Sequence, residues 1–112
     1  MIEAVDAEGL QDYYRLIGCD TIDIVTRKIG GMWFDIVCDD EGLFKEPQKI
    51  SAINDMGEPM LVGNLLFFNH DGEGNLLPLS DLDCNHIRKY IQKMSTRNFP
   101  DGYPMLTQCE YN

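Results

Sequence analysis

Three short runs hold the residues of this chain that chemistry could use. His70-Asp71-Gly72-Glu73-Gly74-Asn75 sets side-chain oxygens at alternate positions, Asp71, Glu73 and Asn75. That is how an EF-hand loop begins to wrap calcium. The run then departs from the pattern. Leu76 stands where the sharp-turn glycine belongs, and Leu82 where a bidentate acid should close the shell. The reading that remains is a polar β-turn.

Cys84-Asn85-His86 is the second run. On a helix, residues two apart point roughly 200° from each other, so this pair cannot readily grip one metal. No CxxC or HxxxH accompanies it. His86 has Leu82 and Tyr90 four residues away on either side, which makes it a partly exposed packing histidine. The third run, Asp39-Asp40-Glu41, is the densest set of carboxylates. It reads as solvated turn acids, as an acidic knuckle for a partner, or as a pair for a divalent ion.

A basic stripe completes the inventory. Lys89, Lys93 and Arg97 recur at i, i+4 and i+8, with Arg88 beside them. On one helix they would form a solvated face. The alternative is contact with an acidic surface, including the acidic half of a second copy, which would give an isologous homodimer. Nucleophilic catalysis needs a serine or cysteine with a base in reach. Only two histidines exist, no serine sits in a nucleophile elbow, and Gly30-Gly31 is not a phosphate loop. The expectation is no catalytic residues, no metal and no cofactor.

Charge narrows the classes further. Nineteen Asp and Glu face nine Lys and Arg, a net charge of −10. Eleven of the acids but four of the bases fall in residues 1–46. A basic footprint for direct nucleic-acid binding is therefore missing; the acidity reads as solubility alone or, as the alternative, as attraction to a basic protein partner. No 18-residue apolar run marks a membrane span. The acidic start Met-Ile-Glu-Ala-Val-Asp is unlike a signal peptide, so a cytoplasmic location is expected. Cys19, Cys38, Cys84 and Cys109 lie too far apart for CxxC pairs and read as reduced thiols, with Cys38 in the core.

The elements that must position these groups follow from periodicity. Thr21–Ile29 and Met32–Cys38 alternate with period two around Gly30-Gly31, the signal of a hairpin with a type I′ turn. Asp35 on the alternate face implies that Phe34, Ile36 and Cys38 point inward, with Trp33 at a margin. Ile2–Val5 is a possible first strand by composition. Leu10, Tyr13, Tyr14 and Ile17 share one helical face, and Gly18 is placed to stop that helix. Residues 44–60, punctuated by Pro47, Gly57 and Pro59, read as mostly loop. Leu61–Asn69, nearly continuous in apolar residues, reads as a central strand covered on both faces, with Gly63 marking a bulge or a close backbone approach. Leu76–Leu79 is a brief pairing segment. Ser80 as N-cap, with Asp81 and Asp83 in the first turn, opens a helix running to about Thr96. Met105–Tyr111 is an edge strand or a frayed end.

The hairpin ending in Cys38-Asp39-Asp40-Glu41-Gly42, the later Ser51-Ala52-Ile53, and the run Leu61-Val62-Gly63-Asn64-Leu65-Leu66-Phe67 resemble an uncharacterised domain-of-unknown-function family. Its members are small proteins of phages, conjugative elements and gut bacteria. Of the Pro-Asn-Arg-Ala-like segment usual in that family, only Ala52 stands here. The resemblance implies an intracellular accessory protein linked to mobile elements, and brings no catalytic residues with it.

These readings converge on one α+β domain over residues 1–112. An antiparallel sheet of four or five strands is covered by a C-terminal helix at about 80–96 and a short N-terminal helix at about 10–17. The leading functional expectation is a non-enzymatic acidic accessory protein that binds another protein, in its sharper form by nucleic-acid mimicry. Asp39, Asp40, Glu41, Lys89, Lys93 and Arg97 are its partner-binding residues. The alternative is a small ligand- or metal-binding domain or enzyme using His70, His86 and the acidic turn 39–41.

Overall fold

Gly30 and Gly31 take φ of 54° and 88°, the left-handed pair that a type I′ turn needs. Strand β1 (Ile22–Ile29) enters this turn and β2 (Met32–Asp39) leaves it. Ile29 pairs with Met32, and the ladder runs unbroken to Ile22 opposite Asp39. Tyr90 lies against Gly30 where a Cβ would project, so this glycine is required both by its backbone and by its neighbour. The computed structural model describes residues 10–18, 21–40, 50–73, 75–97 and 99–110. The expected strand Ile2–Val5, together with Cys19 and Glu41, lies outside them.

The remaining strands are β3 (Ile50–Ile53), β4 (Pro59–Val62), β5 (Leu66–His70), β6 (Leu76–Leu77), β7 (Ile91–Met94), β8 (Tyr103–Leu106) and β9 (Cys109–Glu110). Among the described residues they form two sheets, not one: β6-β5-β2-β1-β9 and β4-β3-β8-β7. All pairings are antiparallel except β3 with β8, where Ala52 meets Leu106 in parallel. Phe34, Ile36, Ala52, Leu61, Ile87, Leu106 and Cys109 form one buried cluster drawn from both sheets.

Helix α1 (Leu10–Ile17) has the expected bounds. Gly18 ends it at φ 78°, and its N–H donates to the Tyr14 carbonyl at 2.9 Å. Ile17 packs with Val37 and Leu66, and Tyr13 meets Phe68 edge-on at 5.6 Å. This covers part of the second face of β2, so Asp35 and Val37 are buried as well as Phe34, Ile36 and Cys38. The alternation of polar and apolar residues identified one buried face, and the helix added the other.

Three expected elements differ. Residues 44–60 contain β3, which the Asn54–Gly57 turn links to β4. Asn54 Oδ1 accepts from the N–H groups of Met56 and Glu58 there. Leu61–Asn69 is two strands in different sheets. The chain turns at Gly63, φ 77°, and leaves β4 at one sheet's edge before β5 joins the other. Helix α2 (Asp81–Arg88) begins as expected, with Ser80 Oγ accepting from Asp83 N–H and Asp83 Oδ2 accepting from Ser80 N–H, both at 3.1 Å. It ends eight residues short of Thr96. Continuation would require the Tyr90 carbonyl to accept from Met94. Instead, both the N–H and the hydroxyl of Thr107 donate to it at 2.7 Å, and Ile91–Met94 pairs with β8 as a strand.

Two glycine variants separate backbone strain from packing. A Cβ at Gly31 meets open space, so Gly31→Ala should cost about 1 kcal/mol from its positive φ alone. Gly30→Ala carries the same strain and displaces Tyr90, adding about 1–3 kcal/mol. In urea denaturation, the Gly30→Ala loss should shrink in a Tyr90→Ala background, whereas the Gly31→Ala loss should not.

Candidate functional site

The open end of the β1–β2 hairpin gathers carboxylates. Asp39 closes β2 opposite Ile22, and Asp40 donates its N–H to the Thr21 carbonyl at 3.2 Å. Across the ladder Asp23 faces Cys38, and all three acids act on that thiol. Asp23 and Asp40 are exposed. Asp23 was not singled out from the sequence. The turn at Gly30-Gly31 was signal enough, because counting back along the ladder pairs 23 with 38.

The same ladder places Asp35 mid-strand opposite Thr26. Thr26 donates its hydroxyl to Asp35 Oδ1 at 2.8 Å, and His70 Nδ1 lies 3.5 Å from the same oxygen. Asp35 retains 8% exposure. Burying a carboxylate mid-strand costs stability even when hydrogen-bonded, so this position is poorly explained by packing alone. Toward β1 and the hairpin turn the same face is open. Trp33 is 43% and Ile24 47% exposed, and Lys28 Nζ stands 5.9 Å from the Trp33 ring centroid. Running the Asp35–Phe68 register two residues further sets Trp33 beside His70.

The histidines do not meet. His86 Nε2 donates to the Ile29 carbonyl at 2.7 Å, which assigns its proton because a carbonyl only accepts. Its ring packs against Phe34 and Tyr90 at 6.1 and 5.3 Å, as expected of a packing histidine. Phe34 and Asp35 are successive strand residues and point to opposite faces, so His86 and His70 are on opposite sides of the sheet. The loop after His70 is a polar turn. Asp71 Oδ1 accepts from the N–H groups of Glu73 and Asn75 at 2.8 and 2.9 Å, and Oδ2 accepts from Asn75 Nδ2 at 3.0 Å. Among the described residues no three His, Cys, Asp or Glu side chains are grouped to hold a metal ion. None of the described helices is long and apolar enough to cross a membrane.

Lys89, Lys93 and Arg97 do not share a helical stripe. Lys89 caps α2, Lys93 lies on β7, and Arg97 follows that strand. All three are exposed, but the change from helix to strand at residue 91 replaces a 3.6-residue period with one of two.

Cys38, Cys84 and Cys109 carry free thiols. Burial first, then Asp23, Asp39 and Asp40, push Cys38 up from 9.0 to about 11, and Arg27 pulls against them. Burial, with a smaller contribution from Glu110, likewise raises Cys109 to about 11 against Arg27. Neither is a ready nucleophile at neutral pH. Because folding raises both values, their contribution to stability is complete below pH 9 and is lost as pH climbs through about 11. The urea midpoint should fall across that window, and fall less in a Cys38→Ala/Cys109→Ala variant. At pH 8, peptide mass mapping should show iodoacetamide modifying Cys38 and Cys109 only in denaturant.

No curated protein and no solved structure matches this chain. The resemblance carried by the hairpin, Ser51-Ala52-Ile53 and the run through Gly63 is extended by a family match covering residues 1–95. The chain belongs to the family described as Domain of unknown function (DUF3846).

Proposed function

We propose that the protein is a non-enzymatic binding module that engages a basic protein partner through Asp23, Asp39 and Asp40. The observation carrying this reading is the convergence of an exposed acid from β1 with the acids that end β2. Asp23 and Asp40 are exposed, and together with Asp39 they make this end of the hairpin strongly negative. A cationic partner is attracted to such an end, and the net charge of −10 would steer it in. The absence of a low-pKa thiol among Cys38 and Cys109 and the separation of His70 from His86 favour binding over catalysis. An accessory role in the cytoplasm, for an element of the phage or conjugative kind, fits the resemblance and the charge. Mimicry of nucleic acid is the sharper form of the same reading, with the acids occupying a basic cleft.

Capture from native lysate tests this. Tagged protein should retain a basic protein after nuclease treatment and release it as salt rises. Asp23→Lys/Asp39→Lys/Asp40→Lys should abolish retention. Reversal of two exposed acids elsewhere, Asp55→Lys/Asp101→Lys, should leave it intact. Equal capture by the two variants would refute the assignment to the hairpin end.

A further inference from the structure

We infer that the face around Asp35, Trp33 and His70 is a receptor for an arginine side chain, presented by the basic partner proposed above. The inference rests on that reading and extends it to a second contact on the same hairpin. Asp35 Oδ1 receives both the Thr26 hydroxyl and the His70 contact. Both contacts are to Oδ1, which leaves Oδ2 as an acceptor, and the exposed Trp33 is two residues away on the same face of β2. Thr26 and His70 hold the carboxylate in place, which lowers the ordering cost of binding.

The chemistry selects a cation. The ring face already attracts one: Lys28 Nζ stands 5.9 Å from its centroid, near the outer limit of a cation–π contact. Lys28 also opposes an incoming cation by like charge, so it is a competitor as well as an indicator. A guanidinium is the better occupant. It is planar, stacks on indole, is weakly hydrated, and donates to a carboxylate in the same plane. An ammonium can satisfy the charge but not the stacking. An anion is disfavoured by Asp35 and by the net charge.

Geometry links this face to the acidic end. Asp39 and Trp33 are six residues apart on β2, roughly 20 Å at strand rise. An extended basic segment of about six residues spans that distance. It would meet Asp39 and Asp40 at one end, pass Ile24, and place one side chain between Trp33 and Asp35. Footprints of this type concentrate their energy at a buried aromatic anchor.

Trp33 is the only tryptophan of the chain, so its emission reports this face alone. Hexa-arginine and hexalysine would be titrated at low salt, with binding followed by calorimetry and occupancy by Trp33 emission. Both peptides should bind. Hexa-arginine should change Trp33 emission with the calorimetric midpoint, and hexalysine should change it little. Asp35→Asn and Trp33→Phe, read by calorimetry, should each weaken hexa-arginine by about fivefold to tenfold; Trp33→Phe should leave hexalysine unchanged, and Asp35→Asn should weaken it less than hexa-arginine. Lys28→Ala should strengthen hexa-arginine by removing the competitor. Hexa-arginine binding with flat Trp33 emission would overturn the inference and leave the acidic-end reading standing, as would unchanged affinity in both Asp35→Asn and Trp33→Phe. If neither peptide binds, both readings fall.

Discussion

The register of the β1–β2 ladder is the constraint on which the rest depends. It is set at Gly30 and Gly31, whose positive φ values let Ile29 face Met32 directly. A slip of one residue would exchange the two faces of β2. Phe34 and Ile36 would leave the core, and Asp35 would enter it without Thr26. The turn is also held from outside. His86 bonds the Ile29 carbonyl, and Tyr90 lies against Gly30. The C-terminal part of the chain thus secures the same turn that aligns every candidate functional group on the hairpin.

Helix α2 and strand β7 show how a local preference gives way to a tertiary one. Ser80 and Asp83 satisfy the first-turn donors reciprocally, so the helix start is encoded within four residues. Its end is not. Ile87, Tyr90, Ile91 and Met94 fit a helical stripe in the sequence, yet Thr107 takes the Tyr90 carbonyl and β8 offers Ile91–Met94 a ladder. A hydrogen bond from a distant residue competes on equal terms with one from four residues away. The ladder adds several such bonds together with cross-strand packing.

The hairpin carries three kinds of electrostatic environment along one ladder. At its open end, Asp23, Asp39 and Asp40 act together on the Cys38 thiol. Midway, Asp35 is withdrawn from water and held by Thr26 and His70. Near the turn, Lys28 lies over Trp33. The buried thiols of Cys38 and Cys109 belong to the opposite face and to the core, where burial keeps them neutral. Alternation of strand side chains sets Trp33 and Asp35 on one face and Phe34, Ile36 and Cys38 on the other, and α1 buries part of the first.

What the sequence by itself determined is local. The glycine pair specified the hairpin, the spacing of Tyr13 and Ile17 with Gly18 specified α1, and Ser80 with Asp83 specified the start of α2, because each signal acts within a few residues. The polar turn after His70 belongs with them. The tertiary structure decided everything that depended on a distant partner. The apolar run through Gly63 became two strands, because each half found a different sheet. Residues 50–53 became a strand because β4 and β8 flank them. The expected basic stripe dissolved when residue 91 entered a ladder. Asp23 joined the acidic end, and Asp35 became a buried carboxylate, through strand pairing and the packing of α1 against β2 and β5. Hydrophobic pattern states which residues seek burial, but identical patterns are satisfied by one sheet or by two. Only the competition among long-range contacts chooses between them.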